Sequence, residues 1–138
     1  MATFVLDASA TLSWCFKDET TPFSENLLAR MAMREQAVAP SHWPMEVLNT
    51  LIQAKLRGRV LEADIQAFLL ELASFDIQIE PHARDTIFQN IRSLAEKHRL
   101  TAYDAAYLEL AMRVALPLAT LDGALIRAAK AEGVSLIE

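Results

Sequence analysis

The chain has 138 residues, 53% of them hydrophobic, with only 3 Gly and 5 Pro. That size and composition fit one folded domain with a substantial core and exclude a disordered or low-complexity chain. A net charge of −5 excludes a general nucleic-acid coat protein, but it leaves room for a nuclease, because metal-binding carboxylates are neutralised by their ion.

The N-terminal apolar run Phe4-Val5-Leu6 stops at Asp7, too short for a secretory signal. No apolar stretch approaches the ~20 residues of a membrane span. The single Cys15 has no internal disulfide partner, which fits a reducing compartment and leads us to expect a cytoplasmic protein.

In chain order, Thr3–Leu6 predicts a short buried strand ending at Asp7. Ser9–Phe16 predicts a first short helix, and Ser24–Glu35 a second with Leu27, Leu28 and Met31 on one face. Ala37–Ala39 predicts a strand ended by Pro40. Pro44–Arg57 predicts a helix with Val47, Leu48, Leu51 and Ile52 at helical spacing, stopped by Gly58. Glu62–Ser74 predicts a further amphipathic helix, and Ile77–Ile79 a strand ended by Pro81. His82–His98 and Ala102–Val114 predict two helices, Leu118–Thr120 a strand, Gly123–Glu132 a helix and Val134–Ile137 a last strand.

This alternation predicts a three-layer α/β/α sandwich around a central, mostly parallel sheet. Ligands of such sheets bind beyond the carboxyl ends of the strands. Asp7 directly follows the first strand, and Asp122 follows the Leu118–Thr120 strand by two residues.

Four acids stand beside apolar segments at strand ends or helix starts: Asp7, Glu46, Asp104 and Asp122. Each has an ordinary use. Asp7 and Asp122 can cap the helices that follow them. Asp104 fits a capping-box pattern with Thr101, and Glu46 favours the helix dipole early in its helix. If the four meet in space, they repel one another, and a divalent cation relieves that repulsion. Hard oxygen donors suit Mg²⁺ or Mn²⁺, while one Cys and the scattered His42, His82 and His98 offer no zinc set.

Four stretches together carry a resemblance. They are Val5-Leu6-Asp7-Ala8-Ser9 with Trp14, Ala39-Pro40-Ser41-His42-Trp43-Pro44-Met45-Glu46-Val47-Leu48-Asn49, Thr101-Ala102-Tyr103-Asp104-Ala105-Ala106-Tyr107-Leu108-Glu109-Leu110-Ala111, and Pro117-Leu118-Ala119-Thr120-Leu121-Asp122. In this order and spacing the chain resembles a PIN domain, and within that superfamily the VapC toxins of bacterial toxin–antitoxin pairs. The resemblance implies a PIN-like α/β fold and an endoribonuclease using Mg²⁺, with Mn²⁺ as a substitute. It places the acidic set on Asp7, Glu46, Asp104 and Asp122, with Asp7 and Asp104 the foremost metal ligands. It places polar support on Ser9, Asn49 and Thr120, where the Thr120 hydroxyl is expected to orient a water or a phosphate. It further implies an RNA substrate, a small cognate VapB-like antitoxin and a homodimer.

Other residues are weighed beside these. Trp14, Trp43, Tyr103 and Tyr107 are expected in the core rather than stacked on bases. His42 is expected as a solvated residue beside a helix start rather than a general base. Basic residues cluster at Lys55, Arg57 and Arg59 and at Lys97, His98 and Arg99; the first run is nominated as a positive rim for RNA. The helices Ser24–Glu35 and Pro44–Arg57, with Met31, Met33 and Leu51, are nominated as walls of an antitoxin groove. Competing readings are a PIN nuclease acting on DNA or RNA ends, a response-regulator-like phosphoacceptor and a haloacid-dehalogenase-type phosphatase. The phosphoacceptor needs an N-terminal acidic pair and a late Lys, neither of which is evident. The phosphatase needs an Asp where Ser9 stands.

Overall fold

In the computed structural model, which describes residues 1–138, four short strands form one wholly parallel sheet. They are β1 (Phe4–Leu6), β2 (Ala37–Pro40), β3 (Ile77–Glu80) and β4 (Leu118–Ala119), in the order β3-β2-β1-β4. The helices are α1 (Ala8–Leu12), α2 (Pro22–Ala32), α3 (Trp43–Leu56), α4 (Glu62–Ala73), α5 (Arg92–His98), α6 (Ala102–Val114) and α7 (Gly123–Ala131). A 3₁₀ turn spans Lys17–Glu19, and a π-helical segment, Thr86–Ile91, runs into α5. Both central strands, β1 and β2, are buried at every residue. They lack the in–out alternation of a half-exposed strand because helices cover both faces of the sheet. α6 lies across β1, β2 and β4 and is buried continuously from Ala105 to Ala111. The expected α/β/α sandwich is thus present.

The order of the strands positions the site. The chain leaves β1 toward β2 on one side, and β4 returns to the opposite side of β1. The carboxyl ends of β1 and β4 therefore flank the point where the connections diverge, the usual crevice of an open α/β sheet.

Several expected boundaries move. The strand expected at Val134–Ile137 is reduced to one bridge, Leu118 to Leu136. β4 itself is only two residues long, because Thr120 leaves the ladder to engage Asp7. The first helix stops at Leu12 rather than Phe16; Trp14 turns aside and its indole N–H donates to Ser24 O at 3.1 Å. His82 does not start a helix. It is drawn inward, with Nε2 3.5 Å from Glu109 Oε1, and the helical turn begins two residues later, at Arg84.

The proposed groove walls also need correction. Met31 and Leu51 are core residues, 1% and 0% exposed, and only Met33 of the three is at the surface. The apolar row that α3 does present consists of Met45, Leu48, Ile52 and Leu56, spaced three or four apart along one helical stripe. No helix is long and apolar enough to cross a membrane.

Candidate active site

Asp7 is the hub. It directly follows β1, and its backbone N–H donates to Ala119 O at the end of β4. Its side chain is also the N-cap of α1, accepting from the Ala10 N–H at 2.8 Å. The Ser9 hydroxyl donates to Oδ1 at 2.8 Å, and the Thr120 hydroxyl donates to Oδ2. Each hydroxyl in turn accepts from the β4–α7 turn: Ser9 from the Leu121 N–H at 2.9 Å, Thr120 from the Asp122 N–H at 3.0 Å. The two side chains thus carry backbone amides of one strand end to a carboxylate on the next. The Thr120 proton is directed to Asp7, so in this structure the side chain orients a carboxylate.

The other acids reach the same edge from helix starts. Asp122 caps α7, with Oδ2 accepting from the Leu125 N–H at 2.9 Å. Asp104 lies in the first turn of α6, where Thr101 is the cap and accepts from the Asp104 N–H at 3.1 Å. Glu46 lies in the first turn of α3, and its Oε1 accepts from the buried Tyr107 hydroxyl at 2.9 Å. The ordinary reading thus holds for Asp7 and Asp122, each of which caps a helix at the same edge of the sheet.

The four charges act on one another. Burial pushes the Asp7 carboxyl up to about 7 from the ordinary 3.8; three hydrogen bonds oppose the rise and Glu46 adds to it. Burial also raises Asp104, with Asp122 and Glu46 pushing the same way. No Lys or Arg pairs with any of the four; the only cationic candidate nearby is His42, whose Nε2 lies 3.4 Å from Glu46 Oε1. Uncompensated hard-oxygen donors of this kind fit a divalent cation. No three His, Cys, Asp or Glu side chains converge closely enough to coordinate one directly. Mg²⁺ asks less of a protein than that, being commonly bound through one or two carboxylates with water completing its shell.

Other nominated residues fall elsewhere. Asn49 is exposed and makes no hydrogen bond to the acids; it lines a depression with Thr50, Gln53, Arg57 and Arg59. Arg59 is not a free rim cation. It pairs with Asp18 and Glu19 and stacks 4.0 Å above the Phe16 ring. Lys55 pairs with Glu62 at 3.1 Å, which leaves Arg57 as the one member of that run without an acidic partner. Lys97 and His98 both bind Glu132. His42 is half-buried rather than fully solvated: its ring packs on Tyr107 at 4.9 Å, and its Nε2 is out of solvent without a hydrogen-bond partner. Trp43 and Tyr107 are core residues and Trp14 packs against the core, as expected, whereas Tyr103 is two-thirds exposed beside Asp104.

Sequence reasoning missed the link from Tyr107 to Glu46. A signal was present: a tyrosine amid Ala105, Ala106 and Leu108 on a buried helix must find an acceptor for its hydroxyl. A depression of about 610 Å³ between the Thr86–Ile91 segment and α6 is lined by Glu109 and Arg113, which pair with each other, and by none of the four acids.

The family model described as PIN domain matches residues 4–131. Ribonuclease VapC3 of Pyrobaculum aerophilum is 30% identical over 118 residues, covering 86% of this chain and 88% of that protein. Ribonuclease VapC12 of Mycobacterium tuberculosis is 31% identical over 121 residues, 88% of each chain. Ribonuclease VapC3 of M. tuberculosis is 33% identical over 124 residues, 90% of this chain and 85% of that one. Among solved structures, PAE2754 from P. aerophilum superposes with a TM-score of 0.69 at 23% identity, over 92% of this chain and 84% of that one. FitAcB from Neisseria gonorrhoeae gives 0.62 at 17% identity, over 99% and 97%. These two share the fold.

Proposed function

The chain belongs to the PIN domain family, and from that premise we propose that it is a VapC-type toxin: an endoribonuclease that uses Mg²⁺ or Mn²⁺ and is silenced by a small antitoxin. The observation that carries this reading is the set of four acids without a Lys or Arg partner at the carboxyl edge of the sheet, in a chain whose relatives are named ribonucleases.

A bound Mg²⁺ or Mn²⁺ supplies Lewis acidity at the scissile phosphate and a more acidic water. The chain's own residues do the rest. Asp7 and Asp104 are the foremost ligands, and Glu46 and Asp122 complete the negative field. Ser9 and Thr120 fix the Asp7 carboxylate, so little reorganisation accompanies binding. Asp122 is fixed through one oxygen by its own helix cap. Arg57, the C-cap of α3, is the remaining candidate for a phosphate contact from the basic run at that helix end.

The antitoxin is expected to bring a Lys or Arg to the uncompensated acids in place of the metal. It is further expected to lay an amphipathic segment along Met45, Leu48, Ile52 and Leu56. The reading also has the toxin acting as a homodimer in the cytosol, where its RNA is. Incubating purified protein with RNA, with and without chelator, tests the activity. Co-purification with products of adjacent small genes tests the partner.

A further inference from the structure

Tyr107 sits one turn after Asp104 on α6 and is 1% exposed. Its hydroxyl donates to Glu46 Oε1 at 2.9 Å across 61 positions of sequence. The phenol oxygen also faces the Ala8 amide and feels the Asp7 charge. The His42 ring meets the Tyr107 ring edge-on at 4.9 Å and 63°, and His42 Nε2 approaches the same Oε1 at 3.4 Å. Oε1 is thus enclosed by two rings, while no group of the chain hydrogen-bonds Oε2.

Glu46 is itself about one-third exposed, and a free glutamate at such a place samples many rotamers. The contact with Tyr107 restricts that freedom. Its donor is rigid, buried and anchored in the helix that carries Asp104. Outer partners of this kind set the aim of a metal-binding carboxylate, and losing one typically weakens metal binding or activity ten- to a hundredfold.

We propose that Tyr107 is a positioning residue for the nuclease reaction: its buried hydroxyl fixes Glu46 through Oε1 and thereby presents Oε2 to the metal ion. This rests on the metal-dependent reading given above. It assigns the α6 motif two jobs on one helical face, with Asp104 binding and Tyr107 aiming.

The test is Tyr107→Phe in the full chain, which keeps the ring and removes the one hydroxyl. Mn²⁺ affinity without RNA is measured by calorimetry, kcat and KM on one RNA oligonucleotide, and folding by thermal unfolding. The expected result is a folded variant with Mn²⁺ affinity and kcat each lower by about ten- to a hundredfold and KM for RNA unchanged. Wild-type Mn²⁺ affinity and kcat in Tyr107→Phe would overturn the inference alone. A wild-type protein that neither binds Mn²⁺ nor cuts RNA would overturn the metal-nuclease reading and this inference with it. Should Tyr107→Phe fail to fold, Tyr103→Phe leaves Tyr107 as the sole tyrosine of the chain's two. Mg²⁺ should then produce a tyrosine difference spectrum that saturates with cleavage activity, and a flat spectrum overturns the inference.

Discussion

The hydroxyl of Thr120 donates to the carboxylate of Asp7 across 113 positions of sequence, tying the turn after β4 to the end of β1. The same oxygen accepts from the Asp122 N–H, so one small side chain serves two acids of the site. Thr120→Val keeps the shape and removes both interactions. It should cost about 1–3 kcal/mol of stability, the usual penalty for orphaning buried polar groups. It should also raise the Asp7 carboxyl further, because the lost hydrogen bond favoured the charged form. Urea unfolding of variant and wild type checks the first, and NMR titration of Asp7 the second.

Asp7 makes the metal-free protein sensitive to pH. The folded chain holds this carboxyl at about 7 against an ordinary 3.8, so the folded state binds the proton more tightly. Its contribution to stability is full below pH ~4 and is lost as pH rises through ~7, about 4 kcal/mol in all. Asp7→Asn removes the ionisation. The stability of wild type relative to Asp7→Asn should therefore decline between pH 4 and 7, measured by denaturant unfolding in chelator. A flat difference across that range contradicts the burial argument.

The basic run at the end of α3 separates into bound and free charges. Arg59 covers Phe16 and answers Asp18 and Glu19, so Arg59→Ala should lower thermal stability and leave the salt slope of RNA binding unchanged. Arg57 has no such partner, and Arg57→Ala should flatten the slope of log K against log salt by about 0.7, one phosphate contact on a single strand. Filter binding of RNA to the Asp104→Asn protein over a salt series distinguishes the two.

Much of the site was legible because it follows from local rules. An apolar run ending in Asp7 and a second run ending in Thr120-Leu121-Asp122 mark strand ends, and parallel pairing of β1 with β4 brings those ends together. What was illegible depends on partners distant in sequence. Nothing near Arg59 announces that Asp18 and Glu19, some 40 residues away, will neutralise it. Leu51 and Met31 share the apolar character of Ile52 and Met33, but a rotation of about 100° per residue sends the first pair into the core and the second to the surface. His82 matched a helix start until the buried Glu109 drew it inward.

The apolar row on α3 gives the partner a location. Ile52→Glu and Leu56→Glu replace exposed side chains, so folding and RNA cleavage should be unaffected. Binding of the antitoxin should weaken at least about tenfold, as expected when a charge enters an apolar docking face. Titration of labelled antitoxin measures this, and undiminished affinity in both variants moves the docking face elsewhere.

The central claim is that the carboxylates at the edge of the sheet cut RNA with the help of a metal ion. It is tested most directly by cleavage of one defined RNA by wild type and by Asp104→Asn, each in Mg²⁺, in chelator, and in chelator followed by excess Mn²⁺. Wild type should cut in Mg²⁺, stop in chelator and resume with Mn²⁺. Asp104→Asn should stay folded and be slower by at least about a hundredfold, the scale of losing one preorganised charge from a catalytic centre. Wild-type cleavage that persists in chelator, or an Asp104→Asn protein that cuts at the wild-type rate, would contradict the account.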